Sequence, residues 1–124
     1  KLWDLAQKAL EGVDPDFGAA CTAVAVTHGF TGSPHIDRQN VGPFYGLALG
    51  DFEDGTGEVV VECSARILAK VDTKGRLGRV DGRFPHWVAP YDAERERYSL
   101  IYYQTAGDAR PVGAAVFEVP TSTE

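Results

Sequence analysis

The chain has 124 residues, 44% of them hydrophobic and 24% charged, with 14 Gly, 7 Pro and a formal net charge of -6. That composition belongs to one globular domain, excludes a large α/β barrel, lacks the low hydrophobicity of a disordered tail, and argues against a surface that binds nucleic acid through bulk positive charge. The longest uncharged stretch, Phe17 to Ile36, is broken by Gly, Thr, Ser, Pro and His, so no segment reads as a membrane span and a soluble protein is expected.

In chain order, Leu2, Leu5, Ala6, Ala9 and Leu10 recur at helical spacing within Lys1 to Glu11, and Gly12 is placed to end that helix. After the Asp14-Pro15 punctuation the period changes to that of strands. Ala23 to Thr27, Tyr45 to Leu49, Glu58 to Cys63, Ala65 to Val71, Arg97 to Gln104 and Ala114 to Glu118 are runs of β-branched, aromatic and small apolar residues between Gly, Pro and Asp clusters. Shorter strands are expected around Leu77 to Val80 and Phe84 to Val88. The chain therefore reads as all-β with a short N-terminal helix: helix and lead-in over 1–18, a core over 19–120 and a tail over 121–124. Such a run of short strands predicts a sandwich or jelly roll, which accommodates a ligand between its sheets.

No methionine occurs, at position 1 or elsewhere, so the chain is expected to be an excerpt or a processed product. Cys21 and Cys63 lie in apolar, strand-like surroundings and make no disulfide framework; they read as buried free thiols, which points to a reducing, intracellular compartment.

Of the three histidines, His28, His35 and His86, two fall where metal chemistry needs them. In Gly32-Ser33-Pro34-His35-Ile36-Asp37 an imidazole and a carboxylate alternate on a short extended segment, and side chains two apart on such a segment point the same way. The third ligand then has to come from a distant strand, and His86 in Arg83-Phe84-Pro85-His86-Trp87-Val88 is the candidate. Two imidazoles and one carboxylate leave the opposite side of an ion open, as non-haem Fe(II) oxygenases require; there are too few Cys and His residues for a closed zinc site. Arg97-Tyr98-Ser99 opens a later strand. There a guanidinium offers a two-pronged ion pair to the far carboxylate of 2-oxoglutarate, with the Ser99 hydroxyl on the same face. Arg95 competes for that role but sits in the charged turn Glu94-Arg95-Glu96, where it is expected to face water. His28 is expected to be held by a backbone carbonyl, and Glu62 and Glu118 to face solvent.

The segments Pro34-His35-Ile36-Asp37-Arg38-Gln39-Asn40, Tyr45 to Phe52, Gly57 to Glu62, His86 and Arg97-Tyr98-Ser99 together resemble Fe(II)/2-oxoglutarate dioxygenases. Within them the chain is most similar to the ten-eleven-translocation and base-J-binding-protein group, especially algal members that modify 5-methylcytosine. The likeness spans roughly residues 20–120, and the iron motif belongs to the whole superfamily. It implies a double-stranded β-helix (a cupin-like jelly roll), Fe(II) on His35, Asp37 and His86, and the co-substrate carboxylate on Arg97 and Ser99. It also implies a further co-substrate contact from Tyr45. The implied reaction converts 2-oxoglutarate and dioxygen to succinate and carbon dioxide while oxidising a C–H bond, with the methyl group of 5-methylcytosine or thymine in DNA as substrate. Ascorbate replaces 2-oxoglutarate in one algal relative, which transfers a glyceryl group.

A base in a duplex must be flipped out to reach a metal inside a sandwich. Arg38 and Asn40 beside the metal loop, and Arg83, Trp87 and Tyr91 near His86, are the candidate contacts, in a nuclear setting if DNA is the substrate. Lys70, Lys74, Arg76, Arg79 and Arg83 against Asp72 and Asp81 make one locally basic stretch. A basic rim beside the metal would favour nucleic acid; a stretch facing elsewhere would favour a protein side chain or small molecule. A cupin-like binding module without redox chemistry is the alternative from another class.

Overall fold

The structure, a computed structural model, describes residues 1–107, 113 and 115–116. Helix α1, Leu2–Glu11, turns Ala6 and Leu10 inward at the expected spacing and ends at Gly12, whose N–H donates to the Lys8 carbonyl. A second helix, α2 (Pro15–Ala20), follows where only punctuation was read. The Asp14 carboxylate caps it by accepting from the Phe17 N–H at 3.0 Å, and Pro15 occupies the first turn, where its missing N–H costs nothing.

Among the described residues, eight strands succeed the helices: β1 Ala23–His28, β2 Phe44–Gly50, β3 Val59–Glu62, β4 Leu68–Val71, β5 Gly78–Val80, β6 His86–Val88, β7 Arg97–Tyr103 and β8 Ala115–Val116. They fall on the expected runs, β1 and β2 a residue longer at one or both ends and β3 to β7 shorter. The rest of the run around β8, Glu118 and the 121–124 tail lie outside the described residues. One sheet has the order β1-β7-β2-β5-β8 and the other β4-β3-β6, and the strands named here pair antiparallel. No described helix is long and apolar enough to cross a membrane.

The strand period assigns each residue to one of two apolar layers. On one side of the larger sheet, Tyr45, Leu100 and Tyr102 pack with Ala6, Leu10 and Cys21, so the helices cover that face. On the other, Phe44 and Val80 meet Val59, Val61 and Val71 of the smaller sheet, with Ile101 packed against them. Each such side chain, fully buried, contributes about 1.5–3 kcal/mol. Along β7 the alternation sends Leu100 and Tyr102 to the helices, and Arg97, Ser99 and Ile101 to the space between the sheets. Both cysteines are free, Cys21 buried and Cys63 half-buried.

Candidate metal centre and the pocket beside it

His35 and His86 are neighbours because the backbone pairs them. The segment carrying His35 runs against the start of β6, and the two residues exchange hydrogen bonds, His35 N–H to His86 carbonyl at 3.1 Å and the reverse at 3.0 Å. Directly opposed residues of an antiparallel pair project from the same face, so the imidazole centroids stand 4.4 Å apart. Asp37, two residues on, projects to that face as well, anchored by its N–H to the Gly82 carbonyl at 2.7 Å. Its Oδ1 is 3.8 Å from His35 Nε2 and 3.5 Å from His86 Nε2. One ligand atom from each of the three residues lies within 4.8 Å of the others.

The tautomers suit a metal. His35 Nδ1 is 2.9 Å from the Ser33 carbonyl, and His86 Nδ1 is 2.9 Å from the Phe84 carbonyl. A carbonyl only accepts, so each Nδ1 carries the hydrogen, and a ring in its neutral form then has its Nε2 lone pair toward the shared space. Burial disfavours a charged His86, but the hydrogen bond to Asp37, the Phe84 carbonyl and the Asp37 charge outweigh it and raise its pKa above the ordinary 6.5. The field that retains a proton there is one that would retain a cation. Two imidazole nitrogens and one carboxylate oxygen are a donor set that divalent transition metals accept, non-haem Fe(II) among them. The two Asp37 distances, 3.8 and 3.5 Å, lie within about 1 Å of the roughly 3 Å spacing of neighbouring ligands on a transition metal.

The triad opens on a cavity of about 140 Å³ between the sheets, also lined by Arg97, Ser99 and Thr27, with walls that include Phe30, Phe44 and Trp87. Arg97 is only 2% exposed, and among the described residues it has no carboxylate partner. One terminal nitrogen donates to the Gly57 carbonyl at 2.9 Å, Nε has no hydrogen-bond partner, and the guanidinium lies 5.5 and 5.4 Å from the Phe52 and Tyr91 ring centres. Burial pushes its pKa down. Gly57 admits this close approach: its φ is +66°, and a Cβ there would stand 3.0 Å from Arg97 Nε. Ser99 is buried beside Arg97, its hydroxyl bonded to Thr27 across the β1–β7 pair.

The other sequence candidates divide between the site and the rest of the molecule. Tyr45 does not reach the cavity. It is one residue out of phase with Phe44 and Gly46, so it points to the helices, where its hydroxyl donates to Asp14 at 2.7 Å and its ring meets Phe17 edge-on. Burial, the Asp14 hydrogen bond and the Asp14 charge push its pKa up to about 12. Asn40 bonds Asp37, Arg38 is exposed, and Trp87 is half-buried in the cavity wall. Tyr91 lies over Arg97, with its hydroxyl donating to the Phe30 carbonyl. Arg83 is forked on the fully buried Asp81. His28 bonds the Glu96 carboxylate and stacks on Tyr98, so its partner is a side chain and not the expected carbonyl. Arg95 is half-exposed, 3.7 Å from Asp51. Glu62 is exposed.

The basic stretch disperses. Lys74 pairs with Asp54, Arg76 with Asp72, Arg79 with Asp14 and Arg83 with Asp81. Sequence reading missed Thr27, Gly57 and Gly82, whose roles arise from cross-strand neighbours. The Asp81-Gly82 pair was a visible turn signal. Comparison with protein-family models, curated proteins and solved structures finds no match.

Proposed function

We propose that the chain is an Fe(II)-dependent dioxygenase that couples decarboxylation of 2-oxoglutarate to oxidation of a C–H bond, on a double-stranded β-helix. The observation that carries this reading is a pairing inside one cavity: an open His35–Asp37–His86 donor set and a buried Arg97 guanidinium with no carboxylate partner among the described residues. Bound at the triad, iron supplies the dioxygen and electron chemistry that side chains lack. Arg97 and Ser99 bind and orient the far carboxylate of the co-substrate, and the apolar walls exclude water. An uncompensated buried cation matches a dicarboxylate better than ascorbate, which carries no carboxylate.

The substrate taken from the resemblance is a 5-methylpyrimidine in DNA, with Arg38, Asn40, Arg83 and Trp87 as its candidate contacts. A second reading, oxidation of a protein side chain or small molecule, is favoured by the pairing of Lys74, Arg76, Arg79 and Arg83 with carboxylates. Anaerobic titration with Fe(II) and 2-oxoglutarate is expected to produce a weak visible charge-transfer band that is lost in His35→Ala. No band in the native chain would leave the non-catalytic binding module. Mass spectrometry of 5-methylcytosine DNA incubated with Fe(II) and either 2-oxoglutarate or ascorbate then separates the substrates and co-substrates.

A further inference from the structure

The two oxygens of Asp37 meet different surroundings. Oδ1 faces Nε2 of both histidines, at 3.8 and 3.5 Å. Oδ2 accepts a hydrogen bond from the Asn40 side-chain amide at 2.9 Å. On another side Oδ2 lies against Gly82, where an added Cβ would stand 2.0 Å from it and 2.7 Å from Cγ. The loop that carries Asn40 is tied at both ends, Asp37 N–H to the Gly82 carbonyl and Val41 N–H to the Gln104 carbonyl, each at 2.7 Å. A carboxylate turns readily about its last torsion, so without such neighbours either oxygen, or both together, can meet a cation.

Resting on the metal-centre reading above, we propose that Asn40 and Gly82 are positioning residues that restrict Asp37 to donating a single oxygen, Oδ1, to the metal. Asn40 engages Oδ2 by hydrogen bonding, and Gly82 leaves room for it in that one orientation. The consequence is a coordination position kept free for an exogenous ligand, which a two-oxygen Asp37 would occupy. Asn40 thus acts through Asp37, and its spacing three residues after the ligand lets one loop supply both.

The test uses the whole chain with Co(II) as the metal and azide as the exogenous ligand, read in the visible spectrum, with far-ultraviolet circular dichroism as the check on folding. The native chain is expected to bind Co(II) and to change its spectrum on adding azide. In Asn40→Ala, Co(II) affinity should fall about tenfold, at the lower end of what losing an outer hydrogen-bond partner costs, and the azide response should shrink. Asn40→Gln, which keeps the amide, should recover part of both. Gly82→Ala drives a methyl into Oδ2, so it should disturb the bound-metal spectrum without removing a donor; it decides the matter if Asn40→Ala does not fold. Folded variants with native Co(II) affinity, spectrum and azide response would overturn the proposal while leaving the metal centre standing. A native chain that binds no Co(II) would overturn both.

Discussion

A guanidinium buried without a counter-charge destabilises the protein that carries it, because desolvation is not offset by a partner. Arg97→Met, of similar length and apolar, is therefore expected to leave the ligand-free protein at least as stable in a thermal melt while abolishing 2-oxoglutarate binding in calorimetry. Arg97→Lys keeps the charge but not the planar fork, so co-substrate affinity should fall by about tenfold or more, the equivalent of one charge-assisted hydrogen bond. Unchanged affinity in Arg97→Lys would mean that the co-substrate is anchored elsewhere. Asp37 is only half-buried and sits in a loop, so Asp37→Ala should abolish metal binding with little loss of stability.

The turn from Asp81 to Phe84 supports two of the proposed ligands at once: the Gly82 carbonyl receives the Asp37 N–H, and the Phe84 carbonyl receives His86 Nδ1–H. Asp81 holds this turn together by accepting from the Arg83 N–H and side chain. Burial works against its ionised form, but the hydrogen bonds from Arg83 and the Arg83 charge win, and its pKa is lowered from 3.8. A carboxyl group whose folded pKa is depressed stabilises the fold above its unfolded value and loses that contribution as pH falls through the folded one. Acid titration of stability should thus show a loss below about pH 3.8 that disappears in Asp81→Asn. At the other side of the large sheet, Asp14 caps α2 and also receives the Tyr45 hydroxyl. Asp14→Ala should cost about 1–2 kcal/mol for the cap alone, visible in chemical denaturation, with Co(II) affinity unchanged because that face is remote from the cavity.

If the proposed function holds, the cavity between the two sheets, with its donor triad and a guanidinium that has no carboxylate partner among the described residues, is completed by its ligands. Ligands that bind only the folded state stabilise it by mass action: at 100 times Kd each adds about 2.7 kcal/mol, on the order of ten degrees in Tm for a domain this small. Metal and 2-oxoglutarate are both expected to raise the melting temperature. The metal increment should vanish in Asp37→Ala and the 2-oxoglutarate increment in Arg97→Met. If 2-oxoglutarate gave the same increment in Arg97→Met as in the native chain, the assignment of that residue would fail.

Periodicity is a local property, and what depended on it was legible in the residues alone: the helix at Leu2–Glu11, the strand runs, and the shared face of Arg97 and Ser99. The pairing of His35 with Asp37 was legible for the same reason, two residues on an extended segment. The second helix was signalled by Asp14-Pro15, an N-cap followed by a first-turn proline, yet it is too short for its apolar spacing to speak. Tyr45 could not be placed, because a strand's alternation says which residues share a face but not which face looks at the cavity. That depends on what packs on either side, here two helices from the start of the chain. The meeting of His35 with His86, the boxing of Asp37 by Asn40 and Gly82, and the dispersal of the basic stretch among Asp14, Asp54, Asp72 and Asp81 all required tertiary structure. Contacts between segments tens of residues apart follow from strand register, and register is selected by how the whole set of apolar faces can be buried together.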